Sequence, residues 1–120
     1  MKNFLAVYTG TPASIENSGW NSLNEEARRA RESAGIEAWQ KWAQDNSDFI
    51  VSGGGPLGKT KRVSASGIVD TTNELCAYTV VRAESEEAAA KLFENHPHFS
   101  IFPGDAVEIM ECLPIPGMQQ

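Results

Sequence analysis

His96, His98 and Asp105 lie close together in the segment "NHPHFSIFPGD", and these are the only two histidines of the chain. Imidazole is the side chain whose ordinary pKa lies nearest neutrality, so it can take a proton from a bound molecule and return it. A carboxylate hydrogen-bonded to it would orient the ring and raise its basicity. The triplet therefore suits proton transfer without a cofactor, with His98 or His96 as the base and Asp105 as its orienting partner. Pro97 should keep the chain extended and turn the two rings to different sides, so that at most one faces a pocket. The same residues also fit a helix terminus where one histidine caps carbonyls and the other lies on the surface. No metal is expected, because zinc takes about three or four convergent protein ligands and too few donors lie nearby in sequence.

A second pattern is sharper by its letters. In "FIVSGGGPLGKTKRV", Gly53 and Gly58-Lys59-Thr60 match the phosphate-binding sequence G-x-x-x-x-G-K-[ST]. That chemistry needs a helix directly after the lysine, whose amides and dipole meet the phosphates. The next residues, "KRVSASGIV", alternate and are rich in β-branched side chains, so a strand is expected and the glycines read as a connection needing positive φ angles. A third set, Tyr8, Trp39, Tyr78 and Arg62 with Ser64, could line a pocket and hold a polar-aromatic or anionic molecule. Central-strand tyrosines also serve as core residues with satisfied hydroxyls, and Arg62 could stand on a solvated strand face.

Elements must place these groups. At 120 residues the chain fits one domain, 1–120. With 41% hydrophobic and 22% charged residues and no apolar run near the roughly 20 residues of a membrane span, neither a membrane segment nor a membrane partner is expected. The opening "MKNFLAVYTGTPAS" reads as a strand rather than a signal peptide. A net charge of −6 with scattered basic residues speaks against nucleic acid. Cys76 and Cys112, without metal or dithiol spacing, read as buried reduced thiols of a cytoplasmic protein.

Asn3 to Thr9 reads as a strand with Phe4, Ala6 and Tyr8 on one face and Leu5, Val7 and Thr9 on the other. "GTPASIENSGWN" reads as a loop. Ser22 and Glu25 predict a capping box opening a helix to about Asn46, with Leu23, Ala27, Ala30, Ala34, Ala38 and Trp42 buried and Glu25, Arg28, Arg29 and Glu32 wet. Gly35 could kink or break it. Phe49 to Ser52 and Lys61 to Val69 read as strands, "DTTNE" as a hairpin-like connection, and Leu75 to Arg82 as a central strand. Ser85, Glu86 and Glu87 open a second helix that Pro97 ends, and Ala106 to Leu113 closes the chain as a strand. The order β-α-β-β-β-α-β predicts a ferredoxin-like α+β sandwich, an antiparallel sheet with both helices on one face. The other face still carries apolar positions, which a homodimer packed face to face would cover.

The segments "FLAVYTG", "GGGPLG", "YTVVRAESEEAA" and "HPHF…PGDAVEIMECLPI", in this order from Phe4 to Ile115, resemble the YCII-related (YciI-like, DGPF-domain) family. That resemblance implies a dimeric α+β barrel with a pocket between sheet and helices or at the dimer seam, in a family where some members use a His-Asp pair. The chain departs from the family pattern in having no histidine in its first helix and no DGPF tetrapeptide, "IVDTTNE" standing near where one belongs. The expectation is a small dimeric protein that binds a small organic ligand and acts on it without a cofactor. A non-catalytic dimeric binding module is the alternative, and nucleotide binding through Gly53 to Thr60 a third reading.

Overall fold

Residues 1–117 are described by a computed structural model. Six strands form, β1 (Lys2–Thr9), β2 (Ile50–Pro56), β3 (Thr60–Ser64), β4 (Gly67–Thr71), β5 (Leu75–Ala83) and β6 (Ala106–Glu111). They are joined by the helices α1 (Pro12–Asn17), α2 (Glu25–Asp45), α3 (Glu86–Lys91) and α4 (Pro97–Ser100). The main sheet is antiparallel in the order β2-β5-β1-β6, while β3 and β4 pair only with each other. Without that separate hairpin, the strand and helix order is the ferredoxin-like α+β sandwich expected from the sequence.

Register fixes which side chains meet the helices. Phe4, Ala6 and Tyr8 of β1 stand opposite Val81, Thr79 and Ala77 of β5, and Ala6 and Tyr8 also stand opposite Ile109 and Val107 of β6. Residues directly opposite in an antiparallel ladder share a face. Phe4, Ala6, Tyr8, Val81 and Ala83 accordingly form one buried cluster with Ala89 and Phe93, against which Trp39 and Trp42 of α2 pack. The alternate residues Leu5, Val7, Val80 and Met110 point to the face away from the helices.

Helix α2 runs unbroken, but its ends and its buried stripe differ from expectation. Asn24, not Ser22, caps it, accepting from the Ala27 amide at 2.8 Å, because Ser22 is used in a 3-10 turn over Trp20–Ser22. Leu23, Ala27, Ala38 and Trp42 of the expected stripe are half-buried, but Ala30 and Ala34 are exposed, and Arg31, Gly35 and Trp39 turn inward instead, with Arg28 half-buried rather than wet. Gly35 is no break. It is the buried residue of the helix, and a Cβ there would overlap the Phe102 ring. The expected loop after β1 contains α1, where Thr11 and Ser14 cap each other at 3.0 Å and Pro12 takes the first position, which needs no amide donor.

Three further expectations are corrected. Lys61 to Val69 is two strands, turned at Gly67 with φ 116°. Pro97 opens α4 rather than ending a helix, with His96 as its cap. Both cysteines are exposed in the single chain, Cys76 near the start of β5 and Cys112 just past β6. The phosphate-loop letters fall in β2 and the link to β3, so a strand and not a helix comes after Lys59.

Hairpin β3-β4 stands away from the body. The Cα radius of gyration is 16.4 Å, against about 13.6 Å for a compact chain of this length, and Val63, Ile68 and Val69 are 73%, 68% and 56% exposed.

The three glycines of β2 are unequal. Gly54 has φ 61°, and a Cβ on it would overlap the Tyr78 carbonyl, whereas Gly53 and Gly55 have open space. Gly54→Ala is expected to cost about 2 kcal/mol or more by chemical denaturation and Gly53→Ala less than about 1 kcal/mol. Equal tolerance of the two would contradict the close approach of β2 to β5.

Candidate functional site

The two histidines bracket Pro97 and occupy different environments. His96 is wholly buried, its ring 4.5 Å from Trp39 and 4.6 Å from Trp42 in edge-to-face contact, with Tyr8 at 5.2 Å and Phe93 at 5.8 Å. Its Nδ1 accepts the His98 amide at 3.0 Å, so the ring proton is on Nε2. Nε2 is buried and has no hydrogen-bond partner among the described residues. Burial, and secondarily the charge of His98, pull the His96 pKa down to about 4.

His98 lies with one edge on the chain and the other free. Its Nε2 is 2.7 Å from the Thr9 carbonyl oxygen, which can only accept, so Nε2 carries the proton and Nδ1 holds the lone pair. Nδ1 has no partner among the described residues and is not sealed off, the residue being 7% exposed. The ring rests on Gly104, where any Cβ would overlap it. Burial lowers the His98 pKa, while the Thr9 carbonyl and the charge of Asp105 act the other way. The imidazole is thus neutral near pH 7, with one basic nitrogen available.

His98 lines a cavity of about 230 Å³ together with Gly10, Ile15, Cys76, Phe102, Pro103 and Gly104. On the other side of Phe102 lies a wider cleft of about 660 Å³ between α2 and the β2-β5 edge, walled by Ile36, Trp39, Tyr78 and the backbone of Gly53 to Pro56. Glycines at the strand edge leave room there that side chains would fill.

The sequence-selected residues are therefore partly gathered. His98 lines one cavity, and Trp39 and Tyr78 line its neighbour. Tyr8 lines neither: wholly buried, it bonds Thr79 Oγ1 at 2.9 Å, and burial pushes its hydroxyl up to about 12 despite that bond. Its ring meets His98 edge to face at 5.3 Å and lines neither cavity. Asp105 makes no side-chain bond to His98; its amide donates to the same Thr9 carbonyl at 2.9 Å, and it lines a separate cleft with Phe93, Phe99 and Val107. The orienting acceptor is a backbone oxygen, for which sequence carries no letter. Arg62 stands exposed on the hairpin, outside both cavities. Phe102 and Gly104, which shape the His98 cavity, were not singled out by sequence, although the Pro-Gly pair that follows Phe102 is a turn signal.

No family model matches the chain, and no curated protein sequence does. Among solved structures it is similar to 5-chloro-2-hydroxyhydroquinone dehydrochlorinase (TftG) from Burkholderia phenoliruptrix AC1100, in complex with 2,5-dihydroxybenzoquinone. The TM-score is 0.50, with 17% identity over 90% of this chain and 90% of that one. At that identity the likeness is one of fold alone.

His96 gives a pH dependence. Its folded pKa lies below the unfolded value of 6.5, so the neutral form favours folding. That contribution is complete above pH 6.5 and is lost as pH falls towards 4, a loss of about 3 kcal/mol. Urea midpoints measured from pH 7 to 4 should fall more steeply for the wild type than for His96→Asn, which keeps a capping oxygen. Equal slopes would contradict the buried neutral ring.

Proposed function

We propose that this protein binds a small planar, polar-aromatic molecule in the cavity at His98 and transfers a proton through His98 Nδ1 without a cofactor. The observation that supports the reading is the 2.7 Å contact from His98 Nε2 to the Thr9 carbonyl, which leaves the lone pair of the ring on Nδ1 in a residue that lines the cavity. A hydroxyl or acidic C–H of the ligand donates to that nitrogen, and the resulting imidazolium is held by the Thr9 carbonyl and the nearby charge of Asp105. A cavity of about 230 Å³ takes a single six-membered ring, since about 150 Å³ holds benzene. Trp39 and Tyr78 supply apolar wall beyond it. TftG, whose fold this chain shares, was solved with a single-ring dihydroxyquinone, and that ligand class suits a neutral imidazole in an apolar cavity.

The test is calorimetric titration with 2,5-dihydroxybenzoquinone. Wild type should bind it, and His98→Gln, which keeps a donor to Thr9 but no basic nitrogen, should weaken binding by about tenfold or more. Unchanged affinity in His98→Gln would remove His98 from the site. A non-catalytic binding module remains the second reading, favoured by the burial of Tyr8 and His96; no hydrogen exchange at the bound ring in deuterated water would support it.

The same reading includes a homodimer. Leu5, Val80 and Met110, around the buried Val7, lie on the sheet face away from the helices, and Val63, Ile68 and Val69 of the hairpin are largely exposed among the described residues, Val63 and Ile68 meeting only each other across the ladder. Lys59 in the link to β3 and Arg62 on the hairpin add positive charge beyond the Lys61–Asp70 pair, in a chain of net charge −6, so a second copy offers complementary charge. Arg62 then belongs to the arm and not to the chain's own cavity. Light scattering should give twice 13.0 kDa, and Val80→Asp should shift it towards monomer; a wild-type monomer at micromolar concentration would contradict the assembly.

A further inference from the structure

The geometry points to Phe102 as a movable partition dividing one two-part binding site, so that its ring sets the size of ligand admitted. This rests on the reading that the His98 cavity holds the ligand. The Phe102 ring lines both the 230 Å³ cavity with His98 and the 660 Å³ cleft with Trp39. With the ring in place the first space suits one six-membered ring; with it turned aside the two become one elongated slot, basic at the His98 end and aromatic at the Trp39 end.

The backbone around Phe102 is pinned at every residue. The Phe102 amide donates to the Pro97 carbonyl at 2.8 Å, Arg31 Nη2 donates to the Ile101 carbonyl at 3.0 Å, Ser14 Oγ donates to the Pro103 carbonyl at 3.2 Å, and the Gly104 amide donates to the His98 carbonyl at 2.9 Å. Motion is therefore left to the side-chain torsions, which change on the nanosecond scale for a ring that is not enclosed. The ring is half-buried, resting where Gly35 has no Cβ, with Trp20 tilted to it and Trp39 edge to face, each at 6.2 Å and neither stacked upon it. The ligand class is a hydroxylated quinone or phenol: one ring with Phe102 in place, two fused rings only when it is displaced or removed.

The probes are 2,5-dihydroxybenzoquinone and the two-ring 2-hydroxy-1,4-naphthoquinone, titrated into wild type, Phe102→Ala and Phe102→Leu. Wild type should prefer the single ring by about tenfold, Phe102→Ala should lose or reverse that preference, and Phe102→Leu should restore most of it. An unchanged preference in Phe102→Ala, with binding still sensitive to His98→Gln, overturns the partition while leaving the ligand site standing. If neither probe binds wild type, it is the ligand reading that fails, and the partition is then judged by carbethoxylation of His98 with diethyl pyrocarbonate. Several-fold faster modification in Phe102→Ala supports the shield, and an equal rate overturns it.

Discussion

The Thr9 carbonyl receives two donors, His98 Nε2 at 2.7 Å and the Asp105 amide at 2.9 Å, and through them the end of β1 gathers α4 and the approach to β6 into one site. Carbonyl oxygens have two lone pairs, so both bonds can be made at once. One of them sets a tautomer and the other sets the position of the loop that carries Phe102 and Gly104. A fixed backbone acceptor does here what a carboxylate does in a His-Asp pair, but without placing a full negative charge against the ring. The imidazole consequently stays neutral near pH 7, held between the burial that lowers its pKa and the carbonyl and Asp105 that raise it.

Behind that contact stands an aromatic wall. Tyr8, Trp39, Trp42 and Phe93 surround His96, whose Nδ1 accepts the His98 amide and so positions the second histidine from its backbone side. His96 thereby acts as a polar staple within an apolar cluster, and its charge state is coupled to folding. The arrangement places two residues of one type differently, His96 wholly enclosed and His98 7% exposed at the edge of a cavity. Tyr8 obeys the same rule: its hydroxyl is bound to Thr79 and pushed far from neutrality, so it contributes packing.

Much of the scaffold was legible. Alternation in "FLAVYT" and the double-faced apolarity of "LCAYTVV" identified two paired inner strands, and the capping serine with two acids marked the start of α3. The failures have physical causes. The expected stripe held at Leu23, Ala27, Ala38 and Trp42 but failed at Ala30 and Ala34, where Arg31 and Gly35, one residue on, turn inward because the Phe102 ring packs where Gly35 has no side chain. The break between β3 and β4 depended on Gly67 and its positive φ within a run that alternates on both sides. At the site, His98 was visible as a letter, but its orienting partner is a main-chain oxygen distant in sequence. Gly35, Gly54 and Gly104 are set by close approaches that arise only once the elements pack.

The protonation pattern of His98 is the most direct check, and long-range nitrogen-proton correlation of the imidazoles in solution reads it. At pH 7 His98 is expected to be neutral with the proton on Nε2 and Nδ1 bare, the bond to Thr9 holding that tautomer. A neutral ring protonated on Nδ1, or an imidazolium at pH 7, would contradict that bond and with it the proposed base.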